Sequence, residues 1–314
     1  MKTAFLCYTP FTGLGLFNGF RGNRWLRNRI AVFKHFVLPS WLAQTNRDFI
    51  HWISWRPEEK NNIYVKELEQ YLKTLPNYKF LFTFTGVAFY DDKYSDVVAR
   101  ERLINALHGT APHLINAVGE CNYVCMLVAP SDDCYYKGAV EQIQNALSSP
   151  DLDAVGFSKG YIMDYTTKRV SEYNPITNPP FYTIKFPREV FVDPLRHLEF
   201  TSLKHDEGKY KAGTPLPSHE YVKDCLRYKQ IDYRGFLVGV HGENISTYYN
   251  HPFKGKEVSE DILWEFGIKN VGPIIIPLSI KRKILKYLPF WLQRKVRYWF
   301  GEIIYTKFYD FIRS

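Results

Sequence analysis

Tyr123-Val124-Cys125-Met126-Leu127-Val128-Ala129-Pro130-Ser131-Asp132-Asp133 decides how the rest of the chain is read. Its first six residues form an apolar run with β-branched and aromatic members, and a proline soon stops it. Such a run is too short for a helix and reads as a buried strand. Two adjacent carboxylates follow, then Lys137–Ile143, a helix-like stretch. In an open α/β sheet, ligands bind just outside the carboxyl ends of the strands. Hard divalent cations take carboxylate oxygens and share them with phosphates. A strand ending in Asp132-Asp133 is therefore a candidate seat for a metal holding a phosphorylated substrate. The same residues also suit a solvated turn capping the next helix, and the local sequence leaves both readings open.

Outward from this strand, strands and helices alternate. Thr3–Tyr8 reads as a strand. Trp25–Thr45 carries apolar residues near helical spacing, perturbed at Pro39, with Ser40 placed to cap a continuation. Phe49–Trp55 and Lys79–Phe84 read as further strands, and Ile63–Leu75 and Val97–Leu107 as helices. This rhythm predicts an α/β fold with a mainly parallel central sheet and helices on both faces. The second half loses it. Ala154–Phe157, Gly160–Tyr165 and Arg169–Tyr173 read as short strands, and Pro179–Phe186 as an extended segment. Lys204–Pro217 reads as a mobile polar loop, Ser218 as the start of a helix, and Phe236–His241 as a last core strand.

Composition narrows the class. The chain has 314 residues, 46% hydrophobic and 23% charged, values of a globular protein with a large core. Its net charge is +9, but nine Lys and Arg against two acids lie beyond Leu278, which accounts for seven of those charges. A nearly neutral body with a basic tail argues against a nucleic-acid groove. The five cysteines are odd in number and lack the C-x2-C spacing of zinc sites, so reduced thiols in a cytoplasmic setting are expected. The short apolar run at the N-terminus does not read as a signal peptide.

Four segments, LPSWLAQTNRDFIHWIS (38–54), YVCMLVAPSDD (123–133), PSHEYV (217–222) and HGENIST (241–247), fall in one order. In that order the chain resembles GT-A-fold glycosyltransferases, more closely a bacterial rhamnosyltransferase-like group. The resemblance implies a Rossmann-like GT-A catalytic domain over residues 1–255; residues 256–314 read as a linker and a C-terminal amphipathic helical tail. It implies that Asp132 and Asp133, the later positions of an Asp-x-Asp motif, bind Mn²⁺ or Mg²⁺ bridging a nucleotide-sugar diphosphate, with Asp132 also touching the donor. Pro130 stands where the first Asp of a D-x-D-D variant would be. His219-Glu220 occupies the place of the base that deprotonates the acceptor, Glu220 foremost, and His241 that of a histidine completing the metal shell. Relatives often read the nucleobase with an Asp after the second strand; Trp55-Arg56 stands there instead, which suggests stacking on Trp55. Arg102 and Asn105 either face the nucleotide or are solvated helix positions.

The residues support these roles on chemical grounds. A leaving diphosphate needs its charge offset, a Lewis-acid task for a cation, and an acceptor hydroxyl needs a base within hydrogen-bond reach. Bland readings stand beside them: Glu220 as a helix-dipole partner, His219 as scaffold, His241 as a hydrogen-bonded core histidine. The expected activity is metal-dependent transfer of a hexose, rhamnose in particular, to a glycan or lipid-linked acceptor in surface polysaccharide synthesis. Inversion is expected from a single base with no nucleophile partner. The alternatives are an inactive glycan-binding or scaffold module of the same fold, and a sugar nucleotidyltransferase.

In the tail, Ile284, Leu285, Leu288, Leu292, Val296, Trp299, Phe300, Ile303 and Ile304 recur at three- and four-residue spacing among Lys, Arg, Trp and Tyr. A basic, aromatic amphipathic segment reads as an interfacial helix on an anionic leaflet, here the inner face of the plasma membrane. The alternative is a stripe packed on the domain. Attraction of roughly 1 kcal/mol per Lys or Arg near such a surface predicts that deleting residues 279–314 abolishes co-sedimentation with phosphatidylserine vesicles. Unchanged partitioning of the truncated chain would remove the membrane assignment.

Overall fold

In β1 (Thr3–Pro10), Phe5 and Cys7 enter one hydrophobic core while Leu6 and Tyr8 enter another. The structure, a computed structural model, describes residues 2–13, 22–86, 96–200, 219, 222–241, 244, 249–250 and 253–269. Strand side chains alternate, and a strand that is apolar on both faces belongs in a sheet covered on both sides. β2 (Ile50–Ser54) divides likewise, Ile53 to the first core and Trp52 to the second. β4 (Tyr123–Val128) sends Cys125 and Leu127 one way and Val124 and Met126 the other. With β3 (Phe80–Thr83) at the edge, these strands run parallel in the order β3-β2-β1-β4. Their carboxyl ends line one rim.

Beyond β4 the sheet turns antiparallel. β8 (Tyr182–Pro187) pairs with β4, β6 (Ala154–Asp164) with β8, β7 (Val170–Tyr173) with β6, and β10 (Lys254–Val258) with β7. β9 (Tyr228–Val240) runs parallel to β6 and also meets β5 (Cys134–Tyr135), which directly follows Asp133. The expected α/β fold is therefore present, with the parallel run β3-β2-β1-β4 in one half of the sheet and the β6–β9 pair parallel within the otherwise antiparallel half. β6 is one strand where the sequence suggests two, because Ser158-Lys159 breaks the apolar pattern; in the sheet the register merely shifts there.

α1 (Gly22–Val32), α2 (Leu38–Leu42), α3 (Ile63–Lys73) and α5 (Ala139–Leu147) cover the first core, and α4 (Asp96–Val118) the second. α3 buries Val65, Leu68 and Leu72 at helical spacing, and the Asn62 side chain accepts from the Tyr64 N–H at its start. α4 runs past the expected Leu107 because Leu114 and Val118 keep the stripe of Leu103 and Leu107 buried. Between α1 and α2, Phe33–Val37 form a π-helical turn in which Leu38 N–H reaches the Phe33 carbonyl. Pro39 explains it: its ring would clash with the carbonyl four residues back and it has no N–H to offer, so the helix widens ahead of it.

The domain body continues through β10, and Leu263, Phe266 and Ile268 complete the first core. The expected boundary after residue 255 thus falls inside an edge strand, whose Lys- and Glu-rich sequence reads as a linker until its partner β7 is known. The expected loop 204–217 and tail 279–314 lie outside the described residues.

One polar chain crosses the parallel strands. Thr9 Oγ1 donates to the Ala129 carbonyl (2.6 Å), so it must accept from His51 Nε2 (2.7 Å), which leaves His51 Nδ1 to accept from the Tyr78 hydroxyl (2.5 Å). The imidazole is fully buried and neutral, and burial lowers its pKa from 6.5 to about 3. The unfolded chain binds a proton there between those values and the folded chain does not, so this contribution is complete above pH 6.5 and is lost as pH falls. Relative to His51→Gln, the native chain should lose about 2 kcal/mol more stability between pH 7 and pH 5, read from urea midpoints. Parallel pH profiles of the two proteins would exclude this role.

Candidate functional site

Asp132 and Asp133 occupy the turn between β4 and β5, at the carboxyl rim of the parallel strands. Three elements remote in sequence converge on this turn. β9 brings Gly239 so close that a Cβ there would lie 2.2 Å from the Asp132 carbonyl oxygen and 2.3 Å from Tyr165 Cζ. Only glycine permits that approach. Its N–H donates to Asp133 Oδ1 (2.9 Å). Just beyond β9, His241 Nε2 lies 3.2 Å from Asp132 Oδ2, and Asn244 Nδ2 donates to the same oxygen at 3.2 Å and to the Gly239 carbonyl at 2.6 Å. The Asn244 carboxamide oxygen accepts from the His241 N–H (2.8 Å), locking the end of the strand.

α1 supplies the third element. Arg29 Nη1 forms an ion pair with Asp132 Oδ2, and Trp25, one turn earlier, lies 5.4 Å from the guanidinium. The π-helical turn adds Phe36, stacked at 3.7 Å on Tyr165, whose hydroxyl donates to the Asp132 carbonyl (2.8 Å). Cys134 Sγ lies 3.4 Å from both the Tyr165 hydroxyl and the Phe36 carbonyl.

The two carboxylates differ. Burial opposes ionisation of Asp132, but the Arg29 guanidinium and the hydrogen bond from His241 outweigh it and hold the carboxyl well below its usual range. Burial and the charge of Asp132 push Asp133 well above that range, and the Gly239 N–H offsets only part of this. One carboxylate is thus kept ionised while its neighbour is driven toward the neutral form.

Of the residues expected at a site, the structure brings Asp132, Asp133 and His241 together. Trp55 is 0% exposed, stacked at 4.4 Å on Phe11 and packed against Phe82. This corrects the expectation of a nucleobase platform: the apolar core claims both the indole and the rings around it. Arg56 is engaged by Glu59 at 2.6 Å and caps the turn that starts at Pro57, so its charge is already balanced. Arg102 and Asn105 lie on α4, over the second core, and Asn105 faces solvent. His219 Nδ1 lies 2.5 Å from the Asn178 carbonyl, whose Nδ2 donates to the His219 carbonyl at 2.7 Å. Glu220 lies outside the described residues.

Sequence reasoning missed Arg29 and Asn244. A signal for Arg29 exists: Trp25, Leu26, Ile30 and Phe33 form an apolar stripe, and Arg29 falls on it. A charge on a buried stripe needs a partner. Asn244 carries no such signal within HGENIST.

A divalent ion on the Asp pair needs free carboxylate oxygens and an imidazole lone pair. Asp132 Oδ2 already faces three nitrogens, and Asp133 Oδ1 is held by Gly239. No group of three His, Cys, Asp or Glu is disposed to bind a metal among the described residues. The Arg29 guanidinium already neutralises Asp132. In this arrangement the donor set does not fit the Mn²⁺ or Mg²⁺ expected from the motif.

No protein family and no curated protein matches this chain. Among solved structures, S. aureus TarS (residues 1–349) is similar at 13% identity and a TM-score of 0.39, over 76% of this chain and 60% of that one. The same protein in complex with UDP-GlcNAc is similar at 10% identity and a TM-score of 0.38, over 77% and 59%. Mouse xyloside xylosyltransferase 1, in its apo form, is similar at 10% identity and 0.36, over 74% and 86%. The chain spans about 60% of the length of the TarS fragment. At scores this low the likenesses decide nothing about its chemistry.

Removing one member of a buried ion pair leaves the other uncompensated, at a cost of roughly 3–5 kcal/mol. Arg29→Gln and Asp132→Asn should each destabilise the chain to about that extent in urea unfolding, and the double substitution should cost clearly less than their sum. Additive losses would mean that the two side chains are not paired in solution.

Proposed function

We propose that this chain is a glycosyltransferase that moves a sugar from a nucleotide-sugar donor to a hydroxyl of a glycan or lipid-linked acceptor. The observation that carries the reading is the convergence of a carboxylate pair, a fixed guanidinium, an imidazole and a carboxamide on the carboxyl rim of a parallel half-sheet. Open α/β sheets take their ligands at that rim. The order of the four motifs along the chain supports the same class.

Transfer breaks the bond between the anomeric carbon and the diphosphate oxygen as an acceptor oxygen attacks that carbon. Negative charge grows on the leaving diphosphate and needs a preorganised positive group; Arg29 is the cation fixed at this site. The acceptor hydroxyl must lose its proton, and Glu220 is the base in this reading, with His219 beside it in sequence as scaffold. A single base with no assigned nucleophile favours inversion at the anomeric carbon. The motifs favour rhamnose or another hexose as the sugar. The basic aromatic segment 279–314 favours a lipid-linked acceptor in surface polysaccharide synthesis, met at the inner face of the plasma membrane.

A second reading, a glycan-binding module of the same fold without turnover, draws support from Pro130 in an acidic position and from the full engagement of Asp132 Oδ2. Incubating the purified chain with UDP-, GDP-, CDP- and dTDP-sugars separates the two. A transferase should bind one donor and slowly release its nucleoside diphosphate, with water or added glycan taking the sugar. Glu220→Gln should lower that release by about 10²–10⁴-fold and leave donor binding unchanged. Binding without release would favour the module. A folded chain that binds none of these donors overturns the transferase reading.

A further inference from the structure

We propose that Arg29 is a built-in cation, a guanidinium that holds the donor's diphosphate in place of a divalent ion, so that nucleotide binding needs no metal. The inference rests on the transferase reading and specifies how its site handles charge.

Three observations lead to it. The ion pair with Arg29 already neutralises the Asp132 carboxylate through Oδ2. His241 and Asn244 approach the same oxygen, and Asp133 Oδ1 is held to the Gly239 N–H, so one oxygen of each carboxylate is already engaged by protein groups. The Arg29 side chain is only 8% exposed and lies against Trp25. Burial against an aromatic ring keeps a guanidinium from swinging into water, as a preorganised charge requires.

Beyond these, the donors that Asp132 does not use point the same way. A guanidinium presents five N–H groups in a planar fork that matches phosphate oxygens. Asp132 takes Nη1, and Arg29 Nε is buried with no hydrogen-bond partner among the described residues. Native folds rarely leave a buried donor unsatisfied, and each such group calls for an explanation. A diphosphate oxygen is an acceptor of the right charge for it, at the rim where the sheet takes ligands. Arg29 as merely the structural mate of a buried acid would leave this donor unexplained.

The test is calorimetric titration of the purified chain with UDP, GDP, CDP, dTDP and ADP, first in EDTA and then in Mn²⁺. The expected result is that one diphosphate binds in EDTA and that Mn²⁺ leaves its affinity essentially unchanged. Arg29→Gln, shown to be folded by its thermal transition, should weaken binding in EDTA by about 10–100-fold, the range of a lost hydrogen bond to a charged group. Arg29→Lys should retain part of the affinity. Should Arg29→Gln not fold, the Arg29→Gln/Asp132→Asn double variant removes both charges and should show the same loss. Native binding that appears only with Mn²⁺ overturns the proposal and spares the transferase reading. A folded Arg29→Gln that binds as tightly as the native chain also overturns it. No binding under either condition takes down the transferase reading, and this proposal with it.

Discussion

The buried charge of Asp132 is the constraint on which the site depends. A carboxylate removed from water is strongly destabilising unless it is paired and hydrogen-bonded, and here its partners come from three distant segments: Arg29 from α1, His241 and Asn244 from beyond β9, and Tyr165 on its backbone carbonyl from the end of β6. Satisfying one charge therefore pins the first helix, the last long strand and the turn after β4 to a single arrangement. The absence of a side chain at Gly239 is what allows β9 close enough for this to happen.

Two features behind the turn hold it from the far side. The π-helical turn at Phe33–Val37, forced by Pro39, presents Phe36 to Tyr165 and so steadies the hydroxyl that grips Asp132. The chain from Tyr78 through neutral His51 and Thr9 to the Ala129 carbonyl ties the backbone three residues before Asp132 to the parallel strands. Both devices place polar groups in an apolar interior, where unsatisfied partners are costly and satisfied ones fix geometry. The turn is consequently a rigid platform, the property expected of a site that works through preorganised charge.

Much of this was legible in the residues. The apolar run 123–128 before paired Asp gave the site strand, because a continuous apolar run of only six residues that a proline soon stops is too short for a helix and suits a strand buried on both faces. HGENIST pointed to His241, which does meet Asp132. The reading failed where an interaction crosses the fold. Trp55 follows a strand and looks available for stacking, yet it is core, since Phe11, just past β1, and Phe82 of β3 reach it. Residues 256–258 read as linker because an edge strand needs only one partner and keeps a polar sequence.

What the sequence determined by itself was the alternation of elements, the parallel strands with two apolar faces, and the location of the carboxylates at a strand end, all consequences of local period and composition. Tertiary structure alone decided the charge state and company of those carboxylates. Whether an Asp is metal-ready or already neutralised depends on a guanidinium about a hundred residues upstream and an imidazole about a hundred downstream. Electrostatic energy depends on separation in space and on local burial, and neither is written in the spacing of residues along a chain.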